Sequence, residues 1–171
     1  MKWIAAAVAV VAAAITAVVL VVVVPSSPGA GPLGEPDGFY PGGAMSGFGP
    51  VKPGQIVVMG LPLTQGNNLP IKLLGVRPLP TDNVKGLHLR YAATTGAGLQ
   101  IGGTVGWHPT RWQLRSLPFV IPAFEPGGVV IGVSASAPRR YRLRGFVVDY
   151  MIGNTRYSAP QGDGLYGRFR S

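Results

Sequence analysis

The apolar positions of this chain change pattern twice. From Ile4 to Val24 they are continuous, with Thr16 the single polar side chain among twenty-one residues. From Pro25 to Gly54 no apolar period exists, because Gly or Pro takes nearly every second position. After Gln55 short apolar runs alternate with turn residues, and no 3.6-residue repeat persists over ten positions. These patterns predict a helix, a tether and an all-β domain, in that order.

As a helix, the first segment rises roughly 31 Å, the thickness of a bilayer core. In lipid the backbone has no other way to satisfy its hydrogen bonds, so even the Val-rich half is expected to be helical. Lys2 precedes the span and no basic residue follows it until Lys52. The positive-inside bias then keeps residues 1–3 cytoplasmic and exports everything after the span. The favoured reading is an uncleaved signal anchor over residues 4–24, because the apolar core is longer than that of a cleaved signal. A cleaved signal is the alternative. Ala5, Ala9, Ala13 and Ala17 recur every fourth residue and form a strip of small side chains on which a second membrane helix could pack.

Residues 25–54 read as a flexible linker, since Gly- and Pro-rich sequence builds no core. The exported domain is assigned to residues 55–171. Its expected strands are Gln55–Met59 with Leu61–Thr64, Leu69–Val76, Gly86–Ala92, Leu99–Val105, Trp112–Leu114, Pro118–Ile121, Gly128–Ser136, Tyr141–Ile152 and Thr155–Ala159. Gln65-Gly66-Asn67-Asn68 predicts a hairpin between the first pair, and Gly153-Asn154 a tight turn near the end. Such a series suits an antiparallel β-sandwich of Ig-like type, with a small barrel as the alternative. A domain of this length buries a core without disulfide or metal, and the chain has no cysteine.

The plan of anchor, tether and Gly-rich β-domain resembles small signal-anchored exported proteins of high-GC actinobacteria. The stretch from Gly60 to Leu74, GLPLTQGNNLPIKLL, also looks like the opening hairpin of exported Ig-like domains. The resemblance implies an extracytoplasmic β-domain and no particular activity.

Composition narrows the chemistry. The chain has six carboxylates, and two of them, Glu35 and Asp37, lie in the tether. General acid–base pairs therefore have few possible members. His88 and His108 are the two imidazoles, too few for a structural zinc site. Gly132-Val133-Ser134-Ala135-Ser136 departs from the nucleophile-elbow pattern at its last position and lies in a strand. Gly96-Ala97-Gly98 is better read as a turn than as a phosphate loop. No metal, no cofactor and no catalytic residue is expected. If the chain were an envelope hydrolase, Ser134, His88, His108 and Asp149 would be its parts. A structural or oligomeric envelope protein is a further alternative.

Charge is the remaining signal. The formal net charge is +9, and of fifteen Lys and Arg all but Lys2 lie beyond Val51. Arg139-Arg140-Tyr141-Arg142-Leu143-Arg144 is the densest cluster. On a strand, Arg140, Arg142 and Arg144 share one face while Tyr141 and Leu143 take the other. Guanidinium forks in a row suit phosphate or carboxylate. Trp107, Arg111 and Trp112 form a second candidate patch. The expected role is a non-catalytic, single-pass binding or accessory module of the cell envelope. Its partner would be anionic lipid, a wall polymer or an acidic envelope protein, and not nucleic acid, which the compartment disfavours. A solvated sheet face that blunts an edge strand accounts for the same charges.

Overall fold

The computed structural model describes residues 31, 46–47, 50–62, 68–95, 104–161 and 164–171. The expected span at 4–24 and its alanine strip lie outside them, as does most of the strand expected at Leu99–Val105. Among the described residues no helix is long and apolar enough to cross a membrane.

Eleven strands are described: β1 (Ser46–Gly47), β2 (Val57–Pro62), β3 (Ile71–Pro78), β4 (Leu87–Thr95), β5 (Thr104–Val105), β6 (Phe119–Ile121), β7 (Gly127–Ala135), β8 (Arg139–Leu143), β9 (Phe146–Ile152), β10 (Thr155–Gln161) and β11 (Leu165–Phe169). They form sheets of order β4-β7-β2-β5, β10-β9-β3-β6 and β1-β11-β8. Every pairing is antiparallel except β1 with β11. The protein is thus an all-β sandwich. Side chains from all three sheets meet in one core, among them Leu61, Ile131, Leu73, Phe146, Leu143 and Phe169.

The alternation of each strand sets its layer. On β7, Val129, Ile131, Val133 and Ala135 face this main core, while Val130 joins a second apolar cluster on the opposite face. There Val58 and Val130 are covered by Ile56, Trp107, Trp112 and Leu114. Burial on both faces explains why β7 reads as a nearly unbroken apolar run. Gly132 belongs to the same outer face. A Cβ there would come within 2.8 Å of the Trp107 ring, so only hydrogen leaves room for the indole.

Three local expectations differ from the structure. First, β2 and β3 are not a hairpin: β2 pairs with β5 and β7, whereas β3 pairs with β6 and β9. The connection at 63–70 is long enough to cross the roughly 10 Å between packed layers. Second, Trp112–Leu114 is a turn and not a strand. Leu114 N–H donates to Pro109 C=O at 2.8 Å and Trp112 N–H to His108 C=O at 3.1 Å. The alternation of Trp112, Gln113 and Leu114 imitated a strand because the two apolar side chains cover the outer face of β2 and β7. Third, Tyr141–Ile152 is two strands, β8 and β9, in different sheets. The break falls at Arg144-Gly145, where the chain changes sheet. A Cβ on Gly145 would collide with the Gln161 carbonyl, and Asp82 accepts the freed Arg144 N–H at 2.9 Å.

β-structure also extends into the segment expected to be linker. β1 runs beside β11, and Val51, 6% exposed, bridges to Phe169. Val51 N–H donates to Arg168 C=O at 3.1 Å and Arg170 N–H to Val51 C=O at 2.9 Å. Gly31 lies against Tyr150 and Tyr157, whose rings stack at 5.1 Å.

Candidate functional site

The densest basic sequence becomes an edge strand. β8 pairs antiparallel with β11, placing Arg140 opposite Arg168 and Arg142 opposite Tyr166. Arg140, Arg142, Tyr166 and Arg168 are exposed, while Tyr141, Leu143, Leu165 and Phe169 turn inward to the core. Tyr141 and Phe169 pack with ring centroids 5.3 Å apart on the core-facing side, which ties the two strands to each other. The outer face of these two strands of the β1-β11-β8 sheet is therefore a ribbon with three arginines and one tyrosine.

Two shallow grooves run along this ribbon. One, of about 500 Å³, is lined by Arg140, Tyr141, Arg142, Tyr166, Gly167 and Arg168. The other, of about 450 Å³, continues past Arg140 and Arg168 to Arg170 and Ser171. Arg140 and Arg168 line both. Among the described residues, the one ion pair joins Arg77 and Asp149 at 3.5 Å, so no carboxylate there neutralises the ribbon. Like charges directly opposite on neighbouring strands cost stability, about 0.2–1 kcal/mol for such a pair. An anion seated between Arg140 and Arg168 reverses the sign of that interaction.

Arg144 lies one residue beyond β8 and is exposed, but it does not line either groove. Arg168 and Tyr166 complete the face, although they are far from the basic cluster in sequence. Their signal was the period-two series Tyr166, Arg168, Arg170 at the C-terminus. What joined it to Arg140 and Arg142 was the pairing of β11 with β8.

The aromatic patch has a different surrounding. Trp107 and Trp112 are half-buried over the outer face of β2 and β7, while Arg111 is exposed. The Arg90 guanidinium lies 5.4 Å from the Trp107 ring centroid and His108 packs edge-on to Trp112 at 5.3 Å. Thr94 Oγ1 donates to Trp112 C=O at 2.7 Å, and Ala93 exchanges backbone bonds with Arg115. The loop is thus fastened to β4 and its indoles are used in packing.

The four residues of the hydrolase alternative do not assemble. His88 on β4 sits opposite Ser134 on β7, on the outer face of one layer. Asp149 points outward from the other layer, where it accepts a hydrogen bond from Ser158 and pairs with Arg77. Ser134 and Asp149 are on opposite sides of the sandwich. Among the described residues no three His, Asp or Glu side chains gather where they could hold a metal ion.

No family model and no curated protein matches the sequence. Among solved structures, the chain is similar to the ASH/PapD-like domain of human CEP192 (PapD-like domain 7), at 15% identity and a TM-score of 0.41, covering 73% of this chain and 80% of that one. It is also similar to the VesB protease of Vibrio cholerae, at 14% identity and a TM-score of 0.36, covering 74% of this chain and 30% of that one. At these scores neither likeness adds to what the geometry of the ribbon supports.

Proposed function

We propose that the protein is a non-catalytic binding module of the cell envelope, an Ig-like sandwich that holds an anionic partner on the β8–β11 ribbon. The observation that carries this reading is the opposition of Arg140 and Arg168, with Arg142 beside them and, among the described residues, no carboxylate paired with them. Folding spends stability on that arrangement, and an anionic partner recovers it. The apolar run Ile4–Val24 behind Lys2 supports placement on a membrane with the domain outside the cytoplasm.

The test is co-sedimentation of the full-length chain, reconstituted in phosphatidylcholine nanodiscs, with phosphatidylserine-containing vesicles and with phosphocellulose. At about 1 kcal/mol per basic residue near an anionic surface, the triple variant R140S/R142S/R168S loses roughly a hundredfold in affinity. Equal removal of exposed charge elsewhere, in K72S/K85S/R156S, has a much smaller effect. Equal losses from both triple variants, or retention indifferent to salt, would overturn the reading.

A further inference from the structure

We propose that the ribbon takes a linear phosphodiester polymer whose phosphates are joined by polyol or sugar units, lying along the strands. This inference rests on the reading above and narrows its partner. Three features of the face argue for a chain.

The first is shape. Two recesses flank the Arg140–Arg168 pair, one on the side of Arg142 and the other on the side of Arg170, so the recessed surface follows the strands. A flat bilayer touches projecting tips and leaves a recess empty. A single chain lies in it. The second is spacing. Arg140 and Arg142 are two residues apart on one strand, about 6.6–6.8 Å along its axis. Arg168 faces Arg140 across the ribbon, with Cβ atoms about 4.5–5.5 Å apart. Charge therefore recurs at intervals and meets a ligand whose charge also recurs. The third is the floor. Between Arg142 and Arg168 lie Gly167 and the Tyr166 ring, 45% exposed. A phosphate gains nothing from an aromatic face, whereas the neutral unit between two phosphates covers it. Single-stranded nucleic acid fits less well, because its binding grooves stack successive bases on several aromatic side chains. Among the described residues, Tyr166 is the one exposed aromatic side chain lining this surface.

The experiment uses the full-length chain reconstituted in phosphatidylcholine nanodiscs. It is titrated over a range of salt with oligomeric poly(glycerol phosphate), inorganic phosphate, phosphatidylserine vesicles and an oligothymidylate. The polymer is expected to bind about a hundredfold or more tighter than inorganic phosphate at equal phosphate concentration. Three phosphate contacts give a slope of log K against log salt of about −2, at about −0.7 per contact. R140S and R168S each reduce that slope by about 0.7. R168K keeps the slope but lowers affinity, because it keeps the charge and loses the fork. Y166A weakens polymer binding several-fold at every salt concentration without changing the slope. The proposal is overturned if inorganic phosphate matches the polymer, if vesicles or oligothymidylate bind tighter, or if the arginine variants leave the slope unchanged. Vesicle binding that depends on the ribbon arginines, with no polymer binding, removes this inference and leaves the wider reading standing. Binding to none of the probes removes both.

Discussion

Tyr91 and Tyr141 carry hydroxyls that are buried without a hydrogen-bond partner. Burial pushes each phenol up from an ordinary value of 10.0 to about 12, since the charged form is disfavoured away from water. Between those values the unfolded chain releases protons that the folded chain retains. Stability is therefore unaffected below pH 10 and falls as pH rises toward 12. The loss is about 1–2 kcal/mol per tyrosine, less than the full shift implies because neither ring is completely buried. Y141F is expected to remove about half of this alkaline fall, with Tyr91 supplying the rest. At neutral pH the same variant is as stable as the parent or more so, because an unpaired buried hydroxyl costs about 1–3 kcal/mol. Urea unfolding of parent and variant at neutral pH and near pH 11 reads both effects. A parent curve flat across the alkaline range, or a strongly destabilised variant at neutral pH, would show that Tyr141 has a partner in solution.

Between β8 and β9 the chain leaves one sheet for another within two residues, and Asp82 makes that corner possible. Its carboxylate accepts Arg144 N–H at 2.9 Å and Gly145 N–H at 3.4 Å, from more than sixty residues away in sequence. Charge-assisted bonds of this kind are stronger than neutral ones. D82A is expected to cost about 1–3 kcal/mol and to lower the midpoint of thermal unfolding. D82N, which keeps one acceptor, loses less. Hydrogen exchange at Arg144 and Gly145 should quicken in D82A before exchange in β7 does. Uniform exchange across both strands would mean that the corner is held by packing alone. The same corner positions the ribbon, because β8 ends where Asp82 takes over.

The C-terminal strand closes the whole molecule. Phe169 is fully buried, contacts Tyr141 and lies beside Val51 in a parallel bridge. It thus links β8, β11 and the segment that enters the domain. F169A is expected to destabilise by about 3–5 kcal/mol, the usual cost of emptying a phenylalanine site in a core. If the ribbon is the binding surface, F169A should also weaken anion binding at temperatures well below unfolding, since β11 loses its anchor. Calorimetry together with binding of poly(glycerol phosphate) distinguishes a local release of β11 from global unfolding. Unchanged stability would place β11 outside the cooperative unit.

Period-two alternation made the β-class of this chain legible, and it placed Arg140 and Arg142 on the face opposite Tyr141 and Leu143. Those are local consequences of strand geometry, in which successive side chains point to opposite sides. The turn chemistry of Gly153-Asn154 likewise set the β9–β10 hairpin, because two residues suffice to reverse the chain. Non-local pairing is a different kind of information. Whether residues 63–70 fold back into a hairpin or cross to the other layer depends on which strand buries more apolar surface at each edge. Trp112 and Leu114 fit a strand or a covering loop equally well until β2 and β7 present an apolar outer face. Above all, Tyr166 and Arg168 joined Arg140 and Arg142 only when β11 paired with β8. The chain by itself determined the class of structure, the basic charge and the facing of each side chain within its strand. Tertiary structure alone decided which strands are neighbours, because pairing energy comes from contacts between residues distant in sequence, and that choice built the ribbon.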